Sequence, residues 1–368
     1  MKYLFILGRN IELSKAEVFS YFEREENRIL SQDLIKNGLL LDLEKSISEK
    51  IVDKFGGVVS IGEVVASGTQ KEIFKNLDSR NLYSGIENKL NYVVWNFSSS
   101  YENFVDYLKK RFKSEKLKAT FKHLTGKIEM QGEGKILMPS SKLIDEEFFI
   151  FGEKEIYFGR IFEKYDSEAL EARDMNKPVR RESLAISPRL AKILINLSQV
   201  KKSETLLDPF CGIGTVLTEA LLQGIKVVGI DKDKNAVLGA RQNLEWSGFS
   251  EDNYKLFNAD STNKKIDFVN GVATEPDLGE ILRKTPTEKE AKKQLKDFEN
   301  LIIKFLKNLK TQVSGRVAFT TPYIRVFKKR HKCNISRILE ETGYKMIYEI
   351  PEYRKNQIVG RMIYVLDR

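Results

Sequence analysis

The feature that most limits the fold is a regular alternation of short apolar strands and helical stretches in the second half of the chain. A strand over 205–208 leads into a glycine turn and a helix, and a strand over 227–231 leads into a helix over 236–246. Further strands are expected over 256–258, 268–274 and 317–321. This alternation predicts an α/β domain built on a doubly wound parallel sheet. The last apolar segments, 344–350 and 358–366, have no helix-length spacer between them, so we expect an antiparallel pair at the sheet edge.

The first half of the chain follows a different pattern. An apolar run over 3–7 predicts a strand, and Ser14 with Glu17 three residues later has the spacing of a helix capping box. The segment 105–121 has helical spacing and a heavy basic load. Short strands and helices in irregular order favour small α+β domains here.

The composition of the chain excludes several kinds of site and segment. The 368 residues predict two or three domains, each long enough to bury its own core. The chain has 2 Cys and 2 His, so it lacks a disulfide framework and the paired ligands of a structural zinc site, and we expect no metal and a reducing cytoplasmic location. No apolar stretch approaches the length of a membrane span. A net charge of +10 is compatible with a nucleic-acid partner but is also found in many soluble proteins.

The glycine turn after the first of these strands carries the strongest chemical signal. Gly212 and Gly214 allow a ligand to approach the backbone closely, and the N-terminus of the helix expected behind them offers unpaired N–H groups. The Gly-Lys-Ser/Thr ending of a phosphate loop is missing. Asp208 and Pro209 precede the glycines, and a carboxylate there would repel a pyrophosphate but would suit a cation. Alone, such a turn is equally typical of a plain tight turn.

Two further acidic residues make the signal more specific. Asp231 ends the second strand, where a carboxylate can accept both hydroxyls of a ribose. Asp260 follows the third strand, where it can accept a hydrogen bond from an adenine amino group. Each acid alone has the ordinary explanation of a surface residue at a strand end. Together with Asp208 they line the crevice where open α/β sheets bind ligands, and a nucleoside-bearing cation without phosphate describes S-adenosylmethionine.

These motifs resemble those of a known family. Residues 187–366 resemble a class I methyltransferase, and 208–215 resembles the cofactor motif of exocyclic-amine RNA methylases, with Ile213 where serine or threonine is usual. Residues 1–21 and 173–197 resemble the archaeal and eukaryotic tRNA guanosine-N2-methyltransferases that act on guanosine 10. The resemblance implies a Rossmann-like seven-stranded sheet with the last strand antiparallel. It also implies these cofactor-binding residues: Asp208, Phe210, Gly212, Gly214, Thr215, Asp231, Asp260, Ser261 and Glu275.

The same resemblance implies a domain order. That family carries a THUMP domain, which binds the tRNA acceptor end, although the likeness is weakest over 60–165. We therefore expect a ferredoxin-like α+β domain over 1–60, a THUMP-like RNA-binding domain over 61–165, a linker over 166–183 and a methyltransferase domain over 184–368.

The catalytic motif departs from the family pattern. Amine methylases usually carry Asp/Asn-Pro-Pro-Tyr/Phe after the fourth strand, and this chain has Glu275, Pro276, Asp277 and Leu278. An exocyclic amine is a poor nucleophile, so a carboxylate and a backbone carbonyl that accept its N–H protons would orient it for attack. Glu275 can supply the carboxylate and Pro276 stiffens the backbone, whereas Leu278 cannot stack on a base.

Basic residues are concentrated in two acid-poor stretches. One lies in the first half and the other follows the fifth strand. The proposed RNA-binding residues are Lys109, Lys110, Arg111, Lys113, Lys116 and Lys118 in the first, and Arg325, Lys328, Lys329 and Arg330 in the second. A solvated helix face is the alternative explanation of the first stretch, although such faces usually alternate in sign.

The sequence hypothesis is an S-adenosylmethionine-dependent tRNA methyltransferase that acts on guanosine N2 at position 10. Two alternatives stay open: a catalytically altered protein that binds the cofactor and RNA, which Asp277 and Leu278 favour, and a DNA amine methyltransferase, which would share the C-terminal motifs. The expected partner is tRNA, and the sequence does not identify an activator subunit.

Overall fold

The chain folds into two compact units. The computed structural model describes residues 1–131, 135–139, 143–180, 186–279, 282 and 284–368. The first unit consists of Met1–Ile11, Asn27–Asp53 and Val58–Tyr165, and the second of Glu12–Glu26, Lys54–Gly57 and Asp166–Arg368. None of the helices in the described ranges combines the length and apolar content that crossing a membrane requires.

The elements up to residue 164 include one eight-stranded sheet, a separate two-stranded sheet and three α-helices, of which α1 lies almost entirely in the second unit. They are β1 (Lys2–Leu7), α1 (Ile11–Arg24), β2 (Ile29–Ile35), β3 (Gly38–Leu43), β4 (Val58–Gly68), α2 (Gln70–Asp78), β5 (Lys89–Phe97), α3 (Tyr101–Ser114), β6 (Lys118–Phe121), β7 (Gly126–Glu129), β8 (Lys135–Met138), β9 (Glu146–Phe151) and β10 (Ile156–Lys164). The strand order is β2-β3-β1-β4-β10-β9-β5-β6, and β7 pairs only with β8 among the described strands. Apolar side chains of α2 and α3, such as Leu77 and Phe104, are buried in a cluster with residues of this sheet.

The predicted boundary after residue 60 falls inside β4, and the sheet continues across it. The first unit is therefore one α+β layer structure, and its division into a 1–60 and a 61–165 domain stays a prediction.

The second unit has the expected α/β architecture. Its elements are α4 (Ser167–Asn176), α5 (Pro188–Ser198), β11 (Thr205–Asp208), α6 (Thr215–Leu222), β12 (Lys226–Asp231), α7 (Lys234–Trp246), β13 (Tyr254–Asn258), β14 (Gly271–Thr274), α8 (Glu288–Leu309), β15 (Val317–Val326), β16 (Lys329–His331), α9 (Ile335–Thr342), β17 (Lys345–Glu352) and β18 (Val359–Asp367). The sheet order β13-β12-β11-β14-β15-β18-β17 has seven strands, with the last strand antiparallel to both neighbours. The predicted doubly wound sheet is confirmed.

Two buried apolar clusters hold this unit together. One joins α5 and α6 to the strands and includes Leu13 and Ala16 of α1. The other joins the sheet to α8, whose Ile302 and Leu306 are completely buried. Burial of helices in two clusters around one sheet is the packing that a near-continuous apolar strand pattern favours.

Local signals fix the helix that precedes the glycine turn. Ser187 accepts a hydrogen bond from the backbone N–H of Leu190 at 3.2 Å, and Pro188 occupies the first turn of α5. Proline is favoured at this position because the first turn of a helix needs no partner for its N–H groups.

The predicted capping box at Ser14 is wrong. α1 begins at Ile11, so Ser14 lies inside the helix and is buried. Glu17 points elsewhere: its carboxylate accepts hydrogen bonds from the backbone N–H groups of Gly56 and Gly57, both at 2.7 Å, and from Nδ2 of Asn196 at 2.9 Å. The Glu17 carboxylate therefore binds three donors of the second unit and does not cap the helix.

Two other segments also differ from expectation. The helix expected over 105–121 ends at Ser114, and Lys118–Phe121 pairs with β5 as strand β6. The predicted linker contains α4, in which Arg173 donates a hydrogen bond to Glu219 of α6 at 3.2 Å. Residues 181–183 of that linker, and 184–185 of the predicted methyltransferase domain, lie outside the described residues.

Candidate active site

The glycine turn between β11 and α6 is shaped by two left-handed residues. Gly212 has φ +51° and Gly214 has φ +86°, a region that side chains other than hydrogen disfavour. A Cβ on Gly214 would lie 3.2 Å from Cβ of Ala240 in α7, whereas a Cβ on Gly212 would meet no described atom within 4 Å. Gly214 thus packs against a helix, and Gly212 borders open space.

Asp208 is a buried carboxylate at the end of β11. Its Oδ1 accepts hydrogen bonds from Oγ1 of Thr274 at 2.6 Å and from the backbone N–H of Phe210 at 3.2 Å. Burial raises the pKa of Asp208 to about 7, and the charges of Asp231 and Glu275 add to the rise. Oδ2 has no hydrogen-bond partner among the described residues, so Asp208 presents an unsatisfied oxygen.

Asp231 ties the glycine turn to the next strand. Its Oδ2 accepts from the backbone N–H of Gly212 at 2.9 Å, and Oδ1 accepts from the N–H of Asp233 at 2.9 Å. Asp260 is exposed and accepts from the N–H and hydroxyl of Thr262 at 2.9 and 2.8 Å, hydrogen bonds that lower its pKa. Each carboxylate keeps acceptor capacity for a ligand, because an ionised carboxylate has about four lone-pair sites.

Glu275 follows β14 and is held by an ion pair. The Nε of Arg361 donates to Oε1 at 2.5 Å and Nη2 donates to Oε2 at 3.0 Å, and the hydroxyl of Thr320 donates to Oε1 at 3.3 Å. The Glu275 side chain is only 7% exposed and that of Arg361 is 24% exposed. Two parallel N–H···O bonds to one carboxylate fix its orientation as well as its charge.

The rest of the motif folds as a tight turn. Asp277 Oδ1 accepts from the N–H of Gly279 at 3.0 Å, and the carbonyl of Leu278 accepts from Nε2 of Gln294 in α8 at 2.9 Å. Leu278 packs against the α8 cluster. These contacts keep the motif beside Glu275.

One cavity of about 890 Å³ joins these groups. Every predicted catalytic and cofactor-binding residue lines it except Gly214, which lies behind the turn. Among the described lining residues, Phe210 is the one aromatic, and its ring packs edge-on against Phe305 with 5.4 Å between centroids. The described lining holds seven carboxylates against Lys232, Lys304 and Arg361. The cavity therefore favours a cationic ligand.

Sequence reasoning missed Arg361 and the two threonines, Thr274 and Thr320, that bind the cavity carboxylates. A usable signal existed for Arg361, because it is the one charged residue within the otherwise apolar run 358–366. A buried charge in a strand requires a partner. The threonines carry no such signal, since threonine is ordinary in strands.

The predicted RNA-binding residues lie outside the cavity lining described above. The first basic stretch lies on α3 and β6 of the first unit. The second stretch was expected to follow a fifth strand that ends at residue 321, which is wrong: β15 continues to Val326 and turns back through β16 as a hairpin.

Two family models match parts of the chain. Residues 177–343 match a family model described as RMKL-like, methyltransferase domain, and residues 87–242 match a model described as DNA methylase. The tRNA (guanine(10)-N2)-dimethyltransferase of Methanothermobacter thermautotrophicus is 30% identical over 187 residues, which span 50% of this chain and 49% of that protein. The tRNA (guanine(10)-N2)-dimethyltransferase of Pyrococcus abyssi is 24% identical over 371 residues, which span 100% of this chain and 99% of that protein.

The chain is similar to tRNA (guanine(10)-N2)-dimethyltransferases in both of these comparisons. The matched part spans about half the length of the first of these relatives and nearly the full length of the second. The crystal structure of TrmN from Thermus thermophilus shares the fold, with a TM-score of 0.55 at 14% identity and 100% of both chains covered. The family model stops at residue 343, so Arg361 lies outside the region it describes.

Proposed function

We propose that this protein transfers a methyl group from S-adenosylmethionine to N2 of guanosine 10 in tRNA. The observation that carries the proposal is the acidic cavity at the carboxyl edge of the parallel strands, where Asp208, Asp231, Asp260 and Glu275 meet. The names of both relatives above support the substrate and the position.

The residues of the cavity fit the cofactor. Gly212 leaves a space that any Cβ would fill, and Asp208 presents an oxygen without a partner among the described residues. We assign Asp208 to the cationic part of the cofactor, Asp231 to its ribose hydroxyls, and Asp260 with Ser261 to its adenine. When bound, S-adenosylmethionine supplies an electrophilic methyl group on a sulfonium.

Glu275 is proposed to orient the target amine. Three of the four acceptor positions of its carboxylate are occupied, two on Oε1 and one on Oε2. Oε2 can therefore accept one N–H of the amine, and a backbone carbonyl of the 276–278 turn can accept the other. Fixing both N–H groups aims the nitrogen lone pair, which is the contribution that positioning makes to such a transfer.

RNA contact is proposed for lysines rather than arginines. In α3, Arg111 is held by Glu115 and by two backbone carbonyls. In the hairpin, Arg325 donates to the carbonyls of residues 355 and 356, and Arg330 donates to those of residues 323, 354 and 357. These arginines support the local fold. The exposed lysines can bind phosphates: Lys109, Lys110, Lys113, Lys116, Lys118, Lys328 and Lys329.

The hairpin tip adds an aromatic side chain to the lysines. Phe327 is 83% exposed and has φ +52°, an unusual conformation for a residue with a bulky side chain. An exposed ring beside Lys328 and Lys329 combines base stacking with phosphate contact, the pattern of single-stranded RNA recognition. We propose that this tip contacts an unpaired nucleotide of the tRNA.

The direct test measures transfer from labelled S-adenosylmethionine to unmodified tRNA and to duplex DNA. The proposal predicts label in tRNA alone, and loss of that label in Glu275→Ala with tRNA affinity retained. Glu340→Ala, at an exposed position of α9, is the matched control and should behave as wild type. Label in DNA would replace the substrate assignment, and equal loss of transfer and tRNA binding in Glu275→Ala would make Glu275 a structural residue.

A further inference from the structure

The ion pair between Glu275 and Arg361 places a strong donor next to the proposed amine site. Arg361 is in the first half of β18, opposite Pro322 of β15 and Glu352 of β17. Because β18 runs antiparallel to the rest of the sheet, its first residues lie at the edge where the parallel strands end. The guanidinium therefore lines the same cavity as Glu275.

The guanidinium has donors left over. It carries five N–H groups, and Glu275 takes one from Nε and one from Nη2. Among the described residues, Nη1 has no hydrogen-bond partner, so both of its N–H groups and one of Nη2 remain available. Arg361 lines the cavity, so in the free protein water can bind these N–H groups, and a ligand that enters the cavity can replace that water. These N–H groups therefore suit a ligand that brings an acceptor into the cavity.

The carboxylate of Glu275 has an unoccupied acceptor position next to these donors. Its Oε1 is filled by Arg361 and Thr320, and Oε2 has one free acceptor position. The pair thus offers one acceptor beside a row of donors. A matching ligand edge must carry an N–H group and a hydrogen-bond acceptor on the same side, and a carbonyl oxygen is one such acceptor.

The guanine base has such an edge, with the N2 amine and the N1 N–H followed by the O6 carbonyl. We propose that Arg361 binds O6 of the target guanine while Glu275 holds its N2 amine, so that Arg361 is a substrate-binding residue that determines base specificity. The assignment rests on the proposed function. Adenine has no carbonyl to meet the guanidinium at the place where guanine carries O6.

This contact also gives the Glu-Pro-Asp-Leu motif a means of holding the base without a stacking aromatic. Leu278 packs against α8 and offers only an apolar surface. Hydrogen bonds from a charged donor supply orientation in the plane of the base, which stacking alone does not.

The test measures kcat/KM of each enzyme variant on synthetic tRNAs that differ in the base at position 10. Position 10 carries guanosine, 6-thioguanosine, in which sulfur replaces O6, or 3-deazaguanosine, which lacks N3 but keeps O6. Wild type should methylate the 6-thio substrate with kcat/KM lower by about 10- to 100-fold. Arg361→Gln also removes the two hydrogen bonds that orient Glu275, which should lower kcat/KM on both substrates, and on guanosine it should cost a further factor of about 10 to 100 that is absent on 6-thioguanosine.

The controls separate this inference from the proposed function. Wild type must form N2-methylguanosine on the unmodified substrate, and failure there rejects the function rather than the contact. If Arg361→Gln lowers kcat/KM by the same factor on guanosine and on 6-thioguanosine, the O6 contact is overturned. If instead the effects of Arg361→Gln and of 3-deazaguanosine on kcat/KM are not additive, the contact is with N3. Arg361→Lys keeps the charge and should recover part of the activity. Arg241→Gln, at an exposed position of α7, should match wild type.

Discussion

Replacement of Asp208 by asparagine removes a buried negative charge that lowers the free energy of unfolding when no ligand is bound. Burial raises the pKa of this carboxyl from 3.8 to about 7, against the hydrogen bonds from Thr274 and the backbone N–H of Phe210. The side-chain amide of the asparagine could still accept both hydrogen bonds through its own Oδ1. The substitution therefore removes the charge and preserves the neighbouring geometry.

The difference between 3.8 and about 7 corresponds to about 4 kcal/mol of free energy. The folded pKa is raised above the unfolded one, so this stabilising contribution is complete below pH 4 and is lost as the pH rises through 7. At pH 8, unliganded Asp208→Asn should be more stable than wild type by as much as about 4 kcal/mol, and at pH 4 the two should be nearly equal. Urea denaturation at both pH values measures this.

The affinity for the cofactor should depend on pH in the opposite direction and increase as the pH rises. A cation favours the ionised carboxylate, and with a pKa of about 7 roughly one molecule in eleven is ionised at pH 6. Wild-type affinity for S-adenosylmethionine should fall about tenfold between pH 8 and pH 6, and Asp208→Asn should bind weakly with little pH dependence. Calorimetric titration at the two pH values tests this. Destabilisation of Asp208→Asn at every pH, or a wild-type affinity independent of pH, would refute the reasoning.

Three further perturbations test the turn, the α1 contact and the hairpin. Gly214→Ala should destabilise the protein by more than the ~1–2 kcal/mol of a left-handed alanine and weaken cofactor binding, as urea denaturation and calorimetry will show. Glu17→Ala leaves two backbone amides and one side-chain amide without their acceptor, and should cost about 3 kcal/mol or more in the free energy of unfolding. Replacement of Lys328 and Lys329 by alanine should weaken tRNA binding and reduce its salt dependence by as much as about two counterions, measured by titration at several salt concentrations.

Each of these variants has a matched control. Gly248→Ala has the same left-handed strain, with φ +75°, but its Cβ would meet no described atom within 4 Å, so it should cost less and leave cofactor binding intact. Glu12→Ala lies on the exposed side of α1 and should be neutral. Lys255→Ala lies on β13 and should leave tRNA affinity unchanged. An equal effect of any variant and its control would contradict the structural role assigned to that variant.

The α/β sheet could be predicted because its signals are local. Each parallel strand is a short apolar run, and the turns that follow carry glycine or an acidic residue at the carboxyl end, so Asp208 and Asp231 could be placed before the fold was known. Parallel strands all end at one sheet edge, and that geometry alone brings these acids together.

Features that depend on distant partners could not be predicted in this way. Glu17 lies three residues after Ser14 and matches a capping box, yet its partners are 39, 40 and 179 residues away. The pairing of Glu275 with Arg361 spans 86 residues, and the sequence carries no mark of which charge meets which. β15 also extends beyond the predicted end at residue 321, because its antiparallel pairing with β18 continues through Pro322 to Ile324.

The most direct test of the central claim is nucleoside analysis of unmodified tRNA after incubation with the protein and S-adenosylmethionine. The account predicts N2-methylated guanosine in the digest, mapped by mass spectrometry to position 10, and none when that position is adenosine. Absence of N2-methylguanosine while calorimetry confirms cofactor binding would contradict it.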